Sequence, residues 1–249
     1  MRRLRCPALL LAATLAATGC ASTPQARFTQ GTNGDDCVVL LHGLNRSLRA
    51  MEDMEQALHD AGYSTVNVDY PSQQGTIQAL APLAVHPGVE RCRQSGARRI
   101  HFVTHSMGGI LLRYSHQHDP IEDLGRVVML GPPNQGSEVI DETRDWPISK
   151  LFSGEAGLQL GTDADSIPAQ LGPVDFELGI IAGVGTINPF MSAVLPDFDD
   201  GKVSVDRTQV EGMTDFMVVE SSHRYLMNSD TVIRNTVGFL QTGVFPRIR

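Results

Sequence analysis

Basic residues are scarce in this 249-residue chain: 20 Lys and Arg face 28 Asp and Glu, for a formal net charge of −8. That balance removes the positive surface that nucleic-acid binding needs. No apolar run reaches the roughly twenty residues that cross a bilayer. Internal repeats are absent, and low-complexity sequence is confined to one short polar stretch, which argues against both a solenoid and a disordered chain. What is present is 41% hydrophobic residues and 24 glycines, enough for one globular domain with its own core.

The N-terminus stands apart. Residues 1–20, MRRLRCPALLLAATLAATGC, run from three arginines through a short apolar stretch to small residues, the layout of a secretory signal. Its end, Ala17-Thr18-Gly19-Cys20, resembles the lipobox of bacterial lipoproteins, in which the cysteine is acylated and becomes the new N-terminus. The resemblance implies lipidation at Cys20 and anchorage in the cell envelope, at the outer membrane facing the periplasm. An ordinary cleaved signal that happens to contain a cysteine is the alternative. Residues 21–36, polar and rich in Thr, Gln and Gly, read as a flexible tether. Loss of Arg2, Arg3 and Arg5 with the signal makes the mature chain more acidic still. Cys37 and Cys92 then remain in the domain, where an oxidising compartment would let them pair.

From residue 37 onward, strand-like and helix-like segments alternate. CVVLL (37–41), STVNVD (64–69), RIHFVT (99–104), RVVML (126–130), ELGIIAGV (177–184) and DFMVVES (215–221) are short Val- and Ile-rich runs, the pattern of strands buried on both faces. Between the first two, Met51, Met54 and Leu58 share one helical face, with Ser47 as N-cap and Gly62 as stop. A last helix near 230–240 turns Val232, Val237 and Leu240 inward. Such alternation predicts a mainly parallel sheet with helices on both faces and functional loops at the C-terminal strand ends.

The segment RRIHFVTHSMGGILLRYSH (98–116) changes from strand to helix within a few residues. Only small residues allow so tight a bend, and Gly108 supplies one. Ser106 then sits at the corner, at the start of a helix whose free N–H groups favour negative charge. An N-cap serine on an ordinary helix would give the same five residues. Here the chain resembles the α/β-hydrolase family, in particular bacterial lipases and esterases that carry HSMGG, over roughly residues 37–240. Thr104 stands where the family's G-x-S-x-G pattern has its first glycine.

The resemblance extends along the chain. VVLLHGLNRS matches the family's H-G oxyanion loop, which implies that the N–H groups of Leu44 and Met107 form the oxyanion hole. Of eight histidines, His42 belongs to that loop, His101 lies inside a strand, and His105 adjoins Ser106 and is expected to point elsewhere. His116 and His118 are two apart and make a poor metal pair, while solvated or core roles suit His59 and His86. His223 directly follows the last strand, at the same sheet edge as Ser106, and is the expected base. The family's order of serine, acid, histidine places the acid in LPDFDDGKVSVD, whose D-G-K-V resembles the D-G-x-V of many lipases. Asp200 is the choice, Asp199 the second; a solvated turn or a calcium site is the bland alternative for this acidic loop.

The implied activity is hydrolysis of carboxylic esters through an acyl-serine, with no metal or organic cofactor. An acyltransferase or thioesterase would use the same triad, and a non-catalytic binding module would keep the fold without it. Residues 131–176 are where the family inserts a cap; Trp146, Ile148, Leu151, Phe152, Leu158 and Leu160 would line an apolar pocket or pack in the core, and GPPNQGSEV would form the mouth. With a lipid anchor, these features favour fatty-acid esters, from small-molecule esters to lipids. A crossover helix also brings Cys92 back to the edge from which Cys37 departs, so a disulfide there should stabilise without catalysing.

Overall fold

The Val- and Ile-rich runs assemble into one sheet. In the computed structural model, which describes residues 24–146, 149–185 and 198–248, seven strands lie in the order β1-β3-β2-β4-β5-β6-β7. They are β1 (Gln25–Thr29), β2 (Asn33–Leu41), β3 (Tyr63–Asp69), β4 (Arg99–His105), β5 (Leu124–Leu130), β6 (Leu178–Gly183) and β7 (Asp215–Val219). Every pair is parallel except β1 with β3. The expected α/β-hydrolase architecture is therefore present.

Successive side chains of a strand leave on opposite faces, and here each face has its own core. Cys37, Val39 and Leu41 of β2 pack with buried residues of α2 (Ile77–Gln94) and α3 (Met107–His118). Val38 and Leu40 pack on the other side with α1 (Glu52–Asp60) and the C-terminal helix (Asp230–Thr242). Two covered faces explain why the strands read as unbroken apolar runs. Met51, Met54 and Leu58 are fully buried, as their spacing predicts, and so is Val232. Ser47 caps a short 3-10 turn, Leu48–Met51, ahead of α1, and its side chain makes no capping bond.

Cys37 and Cys92 form a disulfide with Cα atoms 5.7 Å apart. It joins the middle of β2, where its regular parallel pairing with β3 begins, to the last turn of α2.

Two expectations need revision. The tether does not extend to residue 36, because Gln25–Thr29 form β1 and Asn33–Asp36 open β2. QARFT lacks apolar alternation; backbone pairing to β3 holds it, helped by Arg27 against Glu52 and Glu55 and by the Arg91 guanidinium 4.2 Å from the Phe28 ring centre. Trp146, expected in a pocket or core, is 52% exposed. The signal, Cys20, Asp197, Ile148 and the side chains of Leu151 and Phe152 lie outside the described residues.

Candidate active site

The C-terminal strand edge gathers the site. β4 ends at His105, α3 begins at Met107, and Ser106 between them has φ 53° and ψ −124°, a conformation unfavourable for any residue with a side chain. Gly108 permits it: a Cβ there would lie 2.8 Å from the carbonyl oxygen of Leu41 and 2.9 Å from that of His42. The Ser106 N–H donates to Leu130 O at 2.9 Å, fixing the corner against β5. Thr104 is fully buried, so the larger residue in place of glycine is accommodated inside the sheet. As the first residue of α3, Met107 has an N–H without an intrahelical partner, and the helix N-terminus adds favourable potential for an anion.

The loop after β2 is held from below. His42 is fully buried and stacks on Tyr70, with ring centres 4.2 Å apart and planes within 5°. Its Nδ1 lies 2.8 Å from Gly43 O, and the Tyr70 hydroxyl donates to its carbonyl. A carbonyl can only accept, so Nδ1 donates there, while Nε2 accepts the Tyr70 N–H at 3.4 Å and lies 3.2 Å from Asp69 Oδ1; burial outweighs Asp69 and holds the ring's pKa below the ordinary value. This packing orients Gly43 and Leu44 above it.

His223 follows β7 and meets Asp200. Its Nδ1 is 2.7 Å from Asp200 Oδ2, and its own N–H donates to the Asp200 carbonyl at 2.9 Å. Asp200 is buried; its other oxygen accepts the N–H groups of Lys202 at 3.0 Å and Val203 at 2.9 Å. Asp199 instead accepts the Gly201 N–H at 2.7 Å. Gly131, at the end of β5 with φ 54°, leaves room for the pair: a Cβ there would lie 3.0 Å from Asp200 Oδ2 and 3.1 Å from His223 Nδ1. Among the described residues neither Ser106 Oγ nor His223 Nε2 has a hydrogen-bond partner, although both residues line one cavity.

His105 departs from expectation. Rather than pointing elsewhere, it lines that cavity and donates from Nε2 to His223 O at 3.0 Å. Burial, then the neighbouring His223, drives its pKa well below the ordinary value, so it braces the His223 loop as a neutral ring. Adjacency to a motif residue gave no hint of this long-range contact.

The cavity holds about 570 Å³. One wall is apolar, with Leu44, Pro133, Ile140 and Leu160; Arg46, Lys202 and Arg224 add positive charge that the sequence reading missed. GPPNQGSEV contributes Pro133 and Ser137 as expected, and Ser137 Oγ donates to Lys202 O at 2.7 Å. Arg113 of α3 anchors this mouth, donating to Asn134 O and Oδ1 and to the carbonyls of Leu171 and Gly172. Burial without a carboxylate lowers its pKa to about 10. The insertion supplies α4 (Glu138–Thr143), α5 (Ser149–Leu158) and α6 (Ile167–Gln170), with Leu160 buried and Leu158 half-buried.

Residues 38–227 match the family described as the alpha/beta hydrolase family. No curated protein is similar enough in sequence to match. Among solved structures, the mature Bacillus licheniformis lipase BlEst2 superposes with a TM-score of 0.71 at 18% identity, covering 88% of this chain and 97% of that one. A metagenome-derived lipolytic enzyme gives 0.61 at 14% identity over 87% and 97%. The esterase EaEST from Exiguobacterium antarcticum gives 0.57 at 14% over 88% and 96%. At such identities the likeness speaks for the fold alone.

Proposed function

This chain belongs to the alpha/beta hydrolase family, and on that premise we propose that it hydrolyses carboxylic esters through an acyl-serine on Ser106. The observation that carries the reading is a serine on a strained corner, in the same cavity as a histidine bonded to a buried aspartate. His223 takes the Ser106 proton through Nε2 as Oγ attacks the ester carbonyl, while Asp200 fixes the tautomer and stabilises the imidazolium. The N–H groups of Leu44 and Met107 hold the oxyanion; losing one such donor typically costs about 2.7 to 4 kcal/mol of transition-state stabilisation. His223 protonates the departing alcohol, then activates the water that releases the acid. Among the described residues Ser106 Oγ and His223 Nε2 have no hydrogen-bond partner, and catalytic contacts of this kind commonly tighten only in the substrate complex.

The apolar wall suits an acyl chain. Lipidation of Cys20 would place the enzyme at an envelope membrane, near lipid esters; palmitate labelling of the expressed protein, lost in Cys20→Ser, tests that part. Hydrolysis is tested with p-nitrophenyl esters of increasing chain length. Wild type should turn over at least one of them and Ser106→Ala none; equal rates for the two proteins would overturn the assignment.

A further inference from the structure

The molecule is acidic, yet the cavity around Ser106 carries three basic side chains, Arg46, Lys202 and Arg224. Six arginines elsewhere, Arg27, Arg93, Arg99, Arg126, Arg144 and Arg207, each hold a carboxylate. Among the described residues the three at the cavity form no ion pair. The acid beside Lys202 is Asp200, already engaged by His223. Arg46 faces another cation: its Nη2 donates to the carbonyl of Arg224 at 3.4 Å, and burial together with the Arg224 charge lowers its pKa.

Their placement follows from the chain. Arg46 lies two residues after Leu44, Lys202 two after Asp200, and Arg224 one after His223. The fold that gathers the proposed catalytic groups therefore gathers these charges too. A second cavity of about 670 Å³ shares Asn45 and Arg46 with the first and continues past Arg49, Ser72 and Gln74, so the positive, polar surface extends away from Ser106 on the oxyanion-loop side. Like charges left unneutralised in a concave site raise the local concentration of anions, and guanidinium groups pair well with carboxylate and phosphate oxygens.

We propose that the substrate is an anionic ester, one that carries a phosphate or carboxylate near its scissile bond, and that Arg46, Lys202 and Arg224 select it. The proposal rests on the ester-hydrolase reading of Ser106 and narrows its substrate class. The anion sits on the alcohol side or the acyl side, and matched soluble substrates distinguish the two: monobutyrin against 1-butyryl-glycerol 3-phosphate, and p-nitrophenyl butyrate against p-nitrophenyl hydrogen glutarate.

At low salt, kcat/KM for the charged member of at least one pair should exceed that of its neutral partner by about tenfold or more, and the ratio should shrink as salt is added. Arg46→Gln, Lys202→Gln and Arg224→Gln should each reduce the ratio, chiefly through KM for the charged ester, and Arg46→Lys should retain more of it than Arg46→Gln. Both members of a pair are measured on one preparation, so partial misfolding cancels. Ratios at or below one for both pairs in wild type, or ratios unchanged in all three glutamine variants, would overturn the proposal. So would a preference for anions seen only when neutral esters are presented on anionic lipid vesicles, which would assign the charge to surface docking. Turnover of neither neutral nor charged esters would refute the hydrolase reading itself, and this proposal with it.

Discussion

The two edges of the sheet are built differently. At the edge where the parallel strands begin, charges are matched: Asp36 holds Arg99 at 2.8 and 2.9 Å, Arg93 pairs with Asp123, Arg126 with Glu177 and Arg247 with Asp215. The Cys37–Cys92 disulfide closes the same edge. At the edge where strands end, Ser106 and Gly131 have positive φ, and among the described residues Arg46, Lys202 and Arg224 form no ion pair. One edge holds the chain together; the other accepts strain and uncompensated charge that a ligand or transition state can use. Since exposed ion pairs contribute about 0 to 1 kcal/mol each, the disulfide is the strongest device of the lower edge.

Changes at the two edges should therefore have separable effects. The largest belongs to the upper edge: Asp200→Asn should lower kcat by about 10⁴-fold, by favouring the wrong His223 tautomer, with a melting temperature near that of wild type. A matching loss of stability would deny the division of labour. Next, replacing both Cys37 and Cys92 by alanine should remove up to about 4 kcal/mol of stability in a denaturant titration while leaving kcat at 25 °C unchanged. Gly131→Ala tests the upper edge more gently. Its methyl would press on both Asp200 and His223, which must give way by a few tenths of an ångström, so turnover should fall by less than the roughly 10²-fold that a misplacement of about 1 Å costs. Unaltered kinetics would mean that the pair relaxes freely.

A pH-dependent effect spans both edges and is absent at neutral pH. Burial lowers the pKa of His42, His101 and His105, so all three stay neutral in the fold, whereas in the unfolded chain they take up protons below about pH 6.5. The unfolded state then binds more protons, so stability is fully present above that pH and is lost as pH falls toward the depressed folded values. Each histidine contributes up to about 1.4 kcal/mol per pH unit within its window. Denaturant titrations at pH 7.5, 6 and 5 should show the decline, and a flat profile would contradict it.

The contrast also explains what was legible in the sequence. Core strands and methionine-bearing helices announce themselves through apolar runs and 3.6-residue spacing, because one burial pattern repeats over many residues. That Ser106, His223 and Asp200 meet at one sheet edge was legible because strand-end position constrains them, with the choice among aspartates drawn from the resemblance to the family's order. Three features were not. β1 is held by backbone pairing to an edge, which leaves no periodic signature in QARFT. His105 acts across 118 residues, onto the carbonyl of His223. Arg46, Lys202 and Arg224 each look like an ordinary surface cation until the loops converge, although their short distance from the motif residues was a readable clue.

The central claim is that Ser106 is the nucleophile, and covalent labelling reads it without any choice of substrate. Incubation with a fluorophosphonate followed by peptide mass mapping should place one adduct on the peptide containing Ser106. The adduct should disappear in Ser106→Ala and form far more slowly in His223→Ala. A label of equal yield in Ser106→Ala, or one mapped to another residue, would contradict the account.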